Sequence, residues 1–198
     1  MAKFEKSELF KKVEQFMIDS FGPNHISLPH LMRTAEWVKV LRPDADDALL
    51  IAAASHDIQR HTGDRPGRDD KELMDFDVDN YLTHHQEKGA EIMEEFLAKE
   101  GAAPEMVQKV KHLIARHELG GDDEQDLIKD ADSLSFLEML VDTFIKEKVP
   151  EFGFEDVKNK FEWMYSRISS DRAKKLAEPL FKDAMRKLNE LGRERIAS

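Results

Sequence analysis

The stretch Leu49-Leu50-Ile51-Ala52-Ala53-Ala54-Ser55-His56-Asp57-Ile58 is the most apolar run in an otherwise polar chain. Small and aliphatic residues occupy every side of a helix drawn through it, so such a helix is expected to be buried all round. The run ends in a histidine beside an aspartate. We therefore expect the fold to be organised around a central helix, running to about Arg60, that delivers His56 and Asp57 at its last turn.

The composition is typical of a globular helical protein without thiol chemistry. The 198 residues are 36% charged and 40% hydrophobic, which allows one domain, residues 1–198, with a proper core. Cysteine is absent, which excludes disulfides, thiolate metal ligands and cysteine nucleophiles. No apolar run is long enough to span a bilayer and no signal-peptide core follows the N-terminus, so a cytoplasmic location without a membrane partner is the default expectation.

The net charge of −11 bears on the class of partner. It disfavours nucleic acid as the main partner, because phosphate repulsion would have to be overcome locally. It does not disfavour a small phosphorylated substrate, whose charge a metal ion can neutralise.

Helical periodicity continues on both sides of the central run, and no segment shows the strict alternation of a strand. We predict an all-α bundle of about seven to nine helices, in which residues 150–198 pack on the rest. Pro179 is expected to kink or split the last helix. The predicted helices span about 7–22, 27–42, 44–60, 80–99, 104–120, 122–148, 157–168 and 170–191.

Residues 61–80 are rich in glycine, proline and aspartate, which predicts a long loop. A loop of this length inside a compact domain is usually functional or disordered. It begins four residues after Asp57 and ends just before His85. We therefore expect it to cover the site and set substrate choice, with Arg65 and Arg68 closing on phosphate.

Several polar side chains fall on apolar helix faces. His30 shares a stripe with Trp37, His117 follows Val110 by seven residues, and Asp132 lies between residues that look buried. Burying such groups is costly unless they are paired or bind a metal. Their convergence is better explained by a cation than by separate accidents.

These residues, in this order, resemble the motifs of the HD superfamily of metal-dependent phosphohydrolases. The resemblance covers about residues 25–140, and the chain from residue 150 onward carries no signature. It is carried by His30-Leu31-Met32-Arg33, Ser55-His56-Asp57-Ile58, His85-Gln86-Glu87-Lys88-Gly89-Ala90-Glu91-Ile92, Ile114-Ala115-Arg116-His117-Glu118 and Lys129-Asp130-Ala131-Asp132-Ser133-Leu134.

The resemblance implies an HD-domain-like fold that holds one or two divalent metal ions per chain. One ion would use His30, His56, Asp57 and Asp132. A second, bridged by Asp57, would be bound by His85 and His117. Imidazole and carboxylate ligands do not distinguish Mn, Fe, Co, Ni, Zn or Mg.

The implied activity is hydrolysis of a phosphoester in a small phosphorylated metabolite, with nucleotides and their derivatives as the expected class. Metal-activated water would attack phosphorus. Asp57 and Arg60 are the expected catalytic residues, with Arg60 facing the phosphate as a charged hydrogen-bond donor.

Two other functions remain open at this point: an HD-type mixed-valent diiron oxygenase, and a non-catalytic ligand-binding HD module. Structural alternatives also exist for single residues. His56 could stabilise a helix C-terminus, Asp132 could be a salt-bridge partner, and His85 and His117 could be a surface and a core histidine. Asp130 is expected to orient a metal ligand.

Overall fold

The computed structural model of the chain describes residues 4–64 and 78–197, and the regular elements of that part are all helical. The predicted all-α class is confirmed. A 3₁₀ helix spans Ile58–Thr62, and π-helical segments span Val78–Leu82 and Phe144–Lys148. The α-helices are α1 Glu8–Phe21, α2 Ser27–Leu41, α3 Asp47–Ser55, α4 Thr83–Lys99, α5 Pro104–Ile114, α6 Asp123–Met139, α7 Val141–Thr143, α8 Val149–Phe152, α9 Phe154–Ser166 and α10 Asp171–Ala197.

Helix α3 is the buried central helix that the sequence predicts. Every residue from Ala48 to Ser55 is buried. Its N-cap is Asp46, whose carboxylate accepts the Leu49 N–H at 3.0 Å, so the helix begins slightly later than the predicted span of 44–60. The helix also ends at Ser55 and not near Arg60, because the backbone leaves α-helical geometry at Asp57 (φ −95°, ψ 14°).

The other helices surround α3. Helix α2 packs against α3 and α6, α5 packs against α3 and α4, and α1 covers another side of α3. Helices α9 and α10 pack against α6 and against each other. The buried apolar side chains of these helices form one continuous cluster.

One prediction about the C-terminal half is wrong, and of the kink or split expected at Pro179 the split does not occur. The helix predicted over 122–148 ends at Met139, because the backbone at Leu140 (φ −107°, ψ −11°) departs from helical geometry. Helix α10 is not split at Pro179. Its buried side chains Ala177 and Ala184 lie on both sides of the proline, so packing holds the helix across the lost backbone hydrogen bond.

The loop predicted over 61–80 is helical at both of its ends. The 3₁₀ helix extends into it as far as Thr62, and the π-helical segment begins at Val78. Arg65 and Arg68, expected to close on phosphate, lie outside the described residues. Among the helices that are described, none has both the length and the apolar character needed to cross a bilayer.

Candidate metal centre

All six residues predicted to bind metal meet at one place in the bundle. His30 comes from α2, His56 and Asp57 follow the end of α3, and His85 lies in the first turn of α4. The other two are His117, just after α5, and Asp132 on α6. The four histidines and Asp132 are buried, and the side chain of Asp57 is 14% exposed.

The first group of ligand atoms joins α2, α3 and α6. Oδ1 of Asp132 lies 3.1 Å from Nε2 of His30 and 3.4 Å from Nε2 of His56. Oδ2 of Asp57 lies 3.9 Å from the same nitrogen of His56. His30, His56 and Asp57 can each offer a ligand atom within 4.8 Å of the others.

The second group uses the other oxygen of Asp57. Its Oδ1 lies 2.9 Å from Nε2 of His85 and 3.7 Å from Nε2 of His117. Oε1 of Glu118 lies 4.0 Å from Nε2 of His117. These four residues also offer ligand atoms within 4.8 Å of one another. Asp57 therefore belongs to both groups, as a bridging ligand would.

The remaining ring nitrogens of His30 and His85 are held by side chains. Nδ1 of His30 lies 2.8 Å from the hydroxyl of Ser135, which donates its own hydrogen to the His30 carbonyl. Nδ1 of His85 lies 2.8 Å from Oε1 of Gln59. Both partners act as acceptors, so Nδ1 carries the hydrogen and Nε2 points its lone pair into the cluster.

Backbone carbonyls hold the other two histidines in the same way. Nδ1 of His56 donates to Ala53 O and Nδ1 of His117 donates to Ile114 O, each at 2.8 Å. Their Nε2 atoms are buried and make no hydrogen bond within the described part of the chain. Buried nitrogens without a partner are costly, and a metal ion would satisfy both. The residues present therefore fit a divalent cation.

Two arginines bind the outer oxygens of the aspartates. Nε of Arg60 donates to Oδ2 of Asp57 at 2.6 Å, and Nη2 of Arg167 donates to Oδ2 of Asp132. Glu118 joins the two arginines: its Oε1 lies 3.2 Å from Nη2 of Arg60, and its Oε2 accepts from Nη1 of Arg167. Asp132 thus keeps Oδ1 for the histidines, whereas Oδ2 of Asp57 faces both Arg60 and His56.

These ion pairs set the charges of the acidic groups. Burial raises the pKa of each carboxyl, but the neighbouring guanidinium groups outweigh it. Arg60 and His56 hold the pKa of Asp57 well below its usual range, and Arg167 does the same for Asp132. Arg167 and other cations lower the pKa of Glu118 to about 2. All three groups are therefore carboxylates at neutral pH.

The histidines differ in charge. Burial favours neutral His56, but Asp57 and Asp132 more than offset it and raise the pKa of His56 to about 9. Burial and the charge of Arg60 lower the pKa of His85 to about 4. A proton therefore occupies His56 at neutral pH when no metal ion is bound, whereas His85 is already neutral.

A cavity of about 350 Å³ opens beside this cluster. It is lined by His30, Asp57 and Asp132 of the cluster, by further charged side chains and by several aromatic and aliphatic ones. The residues that line it are Ser27, His30, Asp57, Arg60, Tyr81, Leu82, Glu118, Asp132, Phe136, Leu140, Phe144, Lys148, Glu151, Phe152, Lys160, Trp163 and Met164.

Three residues of the site were missed by the sequence interpretation. Glu118 directly follows His117, and a carboxylate beside a histidine on an apolar face was a usable signal. Arg167 and Lys160 lie in the segment without a signature, and tertiary packing alone brings them to the site. Asp130, in contrast, does not orient a metal ligand. It accepts the N–H groups of Ser169 and Ser170 at 2.6 and 2.9 Å, just before α10 begins.

Comparison with known proteins supports the fold. A family model described as "Domain of unknown function (DUF4202)" matches residues 21–194. No curated protein matches the chain significantly. A predicted HD superfamily hydrolase from an uncultured Thermotogales bacterium is similar in structure, with 19% identity, a TM-score of 0.59 and coverage of 93% of this chain and 91% of that one. Bacillus subtilis YpgQ, in complex with ADP, has 16% identity, a TM-score of 0.59 and coverage of 93% and 96%. The HD-like fold expected from the motifs is thereby confirmed.

Proposed function

The chain belongs to the DUF4202 family, whose description assigns no activity, and from its site we propose that it is a metal-dependent phosphohydrolase. The proposed substrate is a small phosphorylated metabolite. The observation that carries the proposal is the pair of buried Nε2 atoms on His56 and His117, which neither accept nor donate a hydrogen bond among the described residues and both lie beside the shared carboxylate of Asp57.

We propose that His30, His56, Asp57 and Asp132 hold one divalent ion, and that Asp57, His85 and His117 hold a second. Imidazole nitrogens and carboxylate oxygens suit the first-row divalent metals and magnesium. When bound, such ions lower the pKa of a coordinated water and stabilise the charge that develops on phosphoryl oxygens.

The protein's own contribution is to hold these ligands ready. The Nδ1 hydrogen bonds fix the ring orientation of all four histidines and direct each Nε2 into the cluster, and His56 releases its proton when it binds a metal ion. Arg60 and Arg167 keep the two aspartates ionised, and each binds Oδ2 of its aspartate and so fixes the orientation of the carboxylate.

Arg60 is our candidate for a contact with the substrate phosphate. Its Nε and Nη2 atoms are held by the carboxylates of Asp57 and Glu118, while Nη1 donates to the hydroxyl of Tyr81 at 3.1 Å. The Tyr81 contact is the neutral and therefore the weaker one. A phosphate oxygen would replace it and gain a charge-assisted hydrogen bond.

The cavity supports a small organic phosphate as substrate. It combines the charged cluster with aromatic side chains, Tyr81, Phe136 and Trp163 among them, against which an apolar or planar group can pack. A structural neighbour is known in complex with ADP. We therefore propose nucleotides and their derivatives as the first compounds to test.

The direct test is a phosphate-release screen on protein purified without chelator. Nucleotides and simple phosphomonoesters would be assayed with each divalent cation in turn, for wild type, His56→Ala and the control His112→Ala. His112 is exposed and pairs with Asp122 at the surface. We expect the wild type and His112→Ala to release phosphate. A chelator should abolish this release and a divalent cation should restore it. His56→Ala should release none.

Failure of every substrate to release phosphate would overturn the proposal. Redox-active iron with consumption of dioxygen would then favour the oxygenase. Nucleotide binding without metal would favour the binding module.

A further inference from the structure

Three cationic side chains line the described part of the cavity, and two of them are already engaged. Arg60 binds Asp57 and Glu118. Nζ of Lys148 binds Glu151 at 2.5 Å. Lys160 is the third, and within the described residues no carboxylate lies within ion-pair distance of its ammonium group.

Lys160 is held by aromatic rings. Its Nζ atom lies 4.2 Å from the ring centroid of Trp163 and 5.6 Å from that of Phe136. Both rings line the cavity. The cation–π contacts fix the ammonium group at the wall without neutralising its charge.

The position of Lys160 relates it to the metal centre. It lies seven residues before Arg167, two helical turns along α9, so both side chains leave the same side of the helix. Arg167 binds Glu118 and Asp132. Lys160 therefore lies on the cavity side of α9, two helical turns from the arginine that binds Glu118 and Asp132.

The surroundings of Lys160 are unfavourable to a cation. Burial lowers the pKa of its ammonium group to about 7, against the attraction of Glu118 and Asp132. The chain as a whole has a net charge of −11, but at this position a buried ammonium group has no carboxylate paired with it among the described residues, and the ligand that complements it is an anion. An anion in the cavity would restore the stabilisation that burial removes.

We propose that Lys160 and its aromatic wall form an anion subsite that binds a phosphate group of the substrate. The phosphate would lie between Lys160 and the metal centre, where Lys160 donates a charge-assisted hydrogen bond. The location beside the centre rests on the proposed function. Phosphate binding itself does not, and can be measured when no turnover occurs.

The experiment compares Lys160→Met and Lys160→Arg with the control Lys158→Met. Methionine retains the apolar stem that covers Trp163, so a purely structural role survives the change. Lys158 lies on the same helix, does not line the cavity and pairs with Glu155 at 3.4 Å. Calorimetry with inorganic phosphate gives the Kd, p-nitrophenyl phosphate gives KM and kcat, and metal analysis gives the ion content.

We expect Lys160→Met to raise the Kd for phosphate and the KM by about tenfold or more, the usual loss for a charged hydrogen bond. Metal content should not change. Lys160→Arg should stay within about threefold of wild type, since the cation remains. Lys158→Met should match wild type.

A Lys160→Met protein with the wild-type Kd and KM would overturn the subsite, as would wild-type protein that binds no phosphate. If phosphate binds through Lys160 but no phosphoester is cleaved, the subsite stands and the proposed hydrolase fails. The two claims are thus separable.

Discussion

Arg167 binds Oδ2 of Asp132 across 35 residues of chain and leaves Oδ1 facing His30 and His56. The same guanidinium group binds Glu118, and its Nε donates to the hydroxyl of Ser133 at 2.9 Å. A residue at the end of α9 therefore orients a candidate metal ligand on α6. The C-terminal helices complete the site as well as covering the core.

Replacing Arg167 by methionine should destabilise the protein and weaken the first metal position. Asp132 and Glu118 would remain buried without their main cation, at a cost of about 3–5 kcal/mol. Asp132 would also lose the contact that orients its Oδ1 atom. Urea unfolding and metal titration would show both effects.

The control for this change is Arg186→Met on α10, where the arginine makes only exposed ion pairs with Asp183 and Glu190. It should resemble wild type in both measurements. Wild-type stability and metal affinity in Arg167→Met would mean that Arg167 does not support the site.

The second metal position is tested by two adjacent histidines. His85 is buried with Nε2 at 2.9 Å from Asp57, whereas His84 is partly exposed and contacts Asp64. His85→Ala should lose one of two equivalents of metal per chain and most activity, while His84→Ala keeps both. Elemental analysis after desalting would give the number of metal ions bound per chain in each variant. Equal stoichiometry in the two variants would leave His85 with a structural role.

Metal binding should depend on pH through His56. The pKa of about 9 means that the metal-free protein carries a proton on His56 at neutral pH. A metal ion needs the neutral imidazole, so binding must release that proton. Affinity for the first ion should therefore rise about tenfold per pH unit between pH 6 and 8. Calorimetry in two buffers of different ionisation enthalpy would count the proton, and an affinity independent of pH would contradict the proposed charge state.

The sequence predicted best those features that depend on the pattern of apolar and polar residues within one helix. The buried helix before His56 is visible because its residues are apolar on every side. His30, His117 and Asp132 are visible because a polar group on an apolar face needs a reason, whereas His85 was identified only by the resemblance of its motif. Helix ends were less accurate: the α3 boundary depends on the backbone at Asp57, which hydrophobic periodicity does not report.

The contacts that no local pattern encodes are those between distant helices. Arg167 and Glu118 are 49 residues apart, and their pairing follows from the packing of α9 and α10 on α6. The position of Lys160 at the cavity likewise follows from the packing of α9 and not from any local sequence pattern. Pro179 shows the converse, since tertiary packing overrides the local preference of a proline to interrupt a helix.

The central claim is that Asp57 is shared by two metal positions in a phosphohydrolase. The most direct measurement is the metal content of Asp57→Ala, determined with phosphate release on the same samples and circular dichroism for the fold. We predict a helical protein that has lost both ions and all turnover, whereas His85→Ala loses only one ion. An Asp57→Ala protein that keeps its metal content and activity would contradict the account.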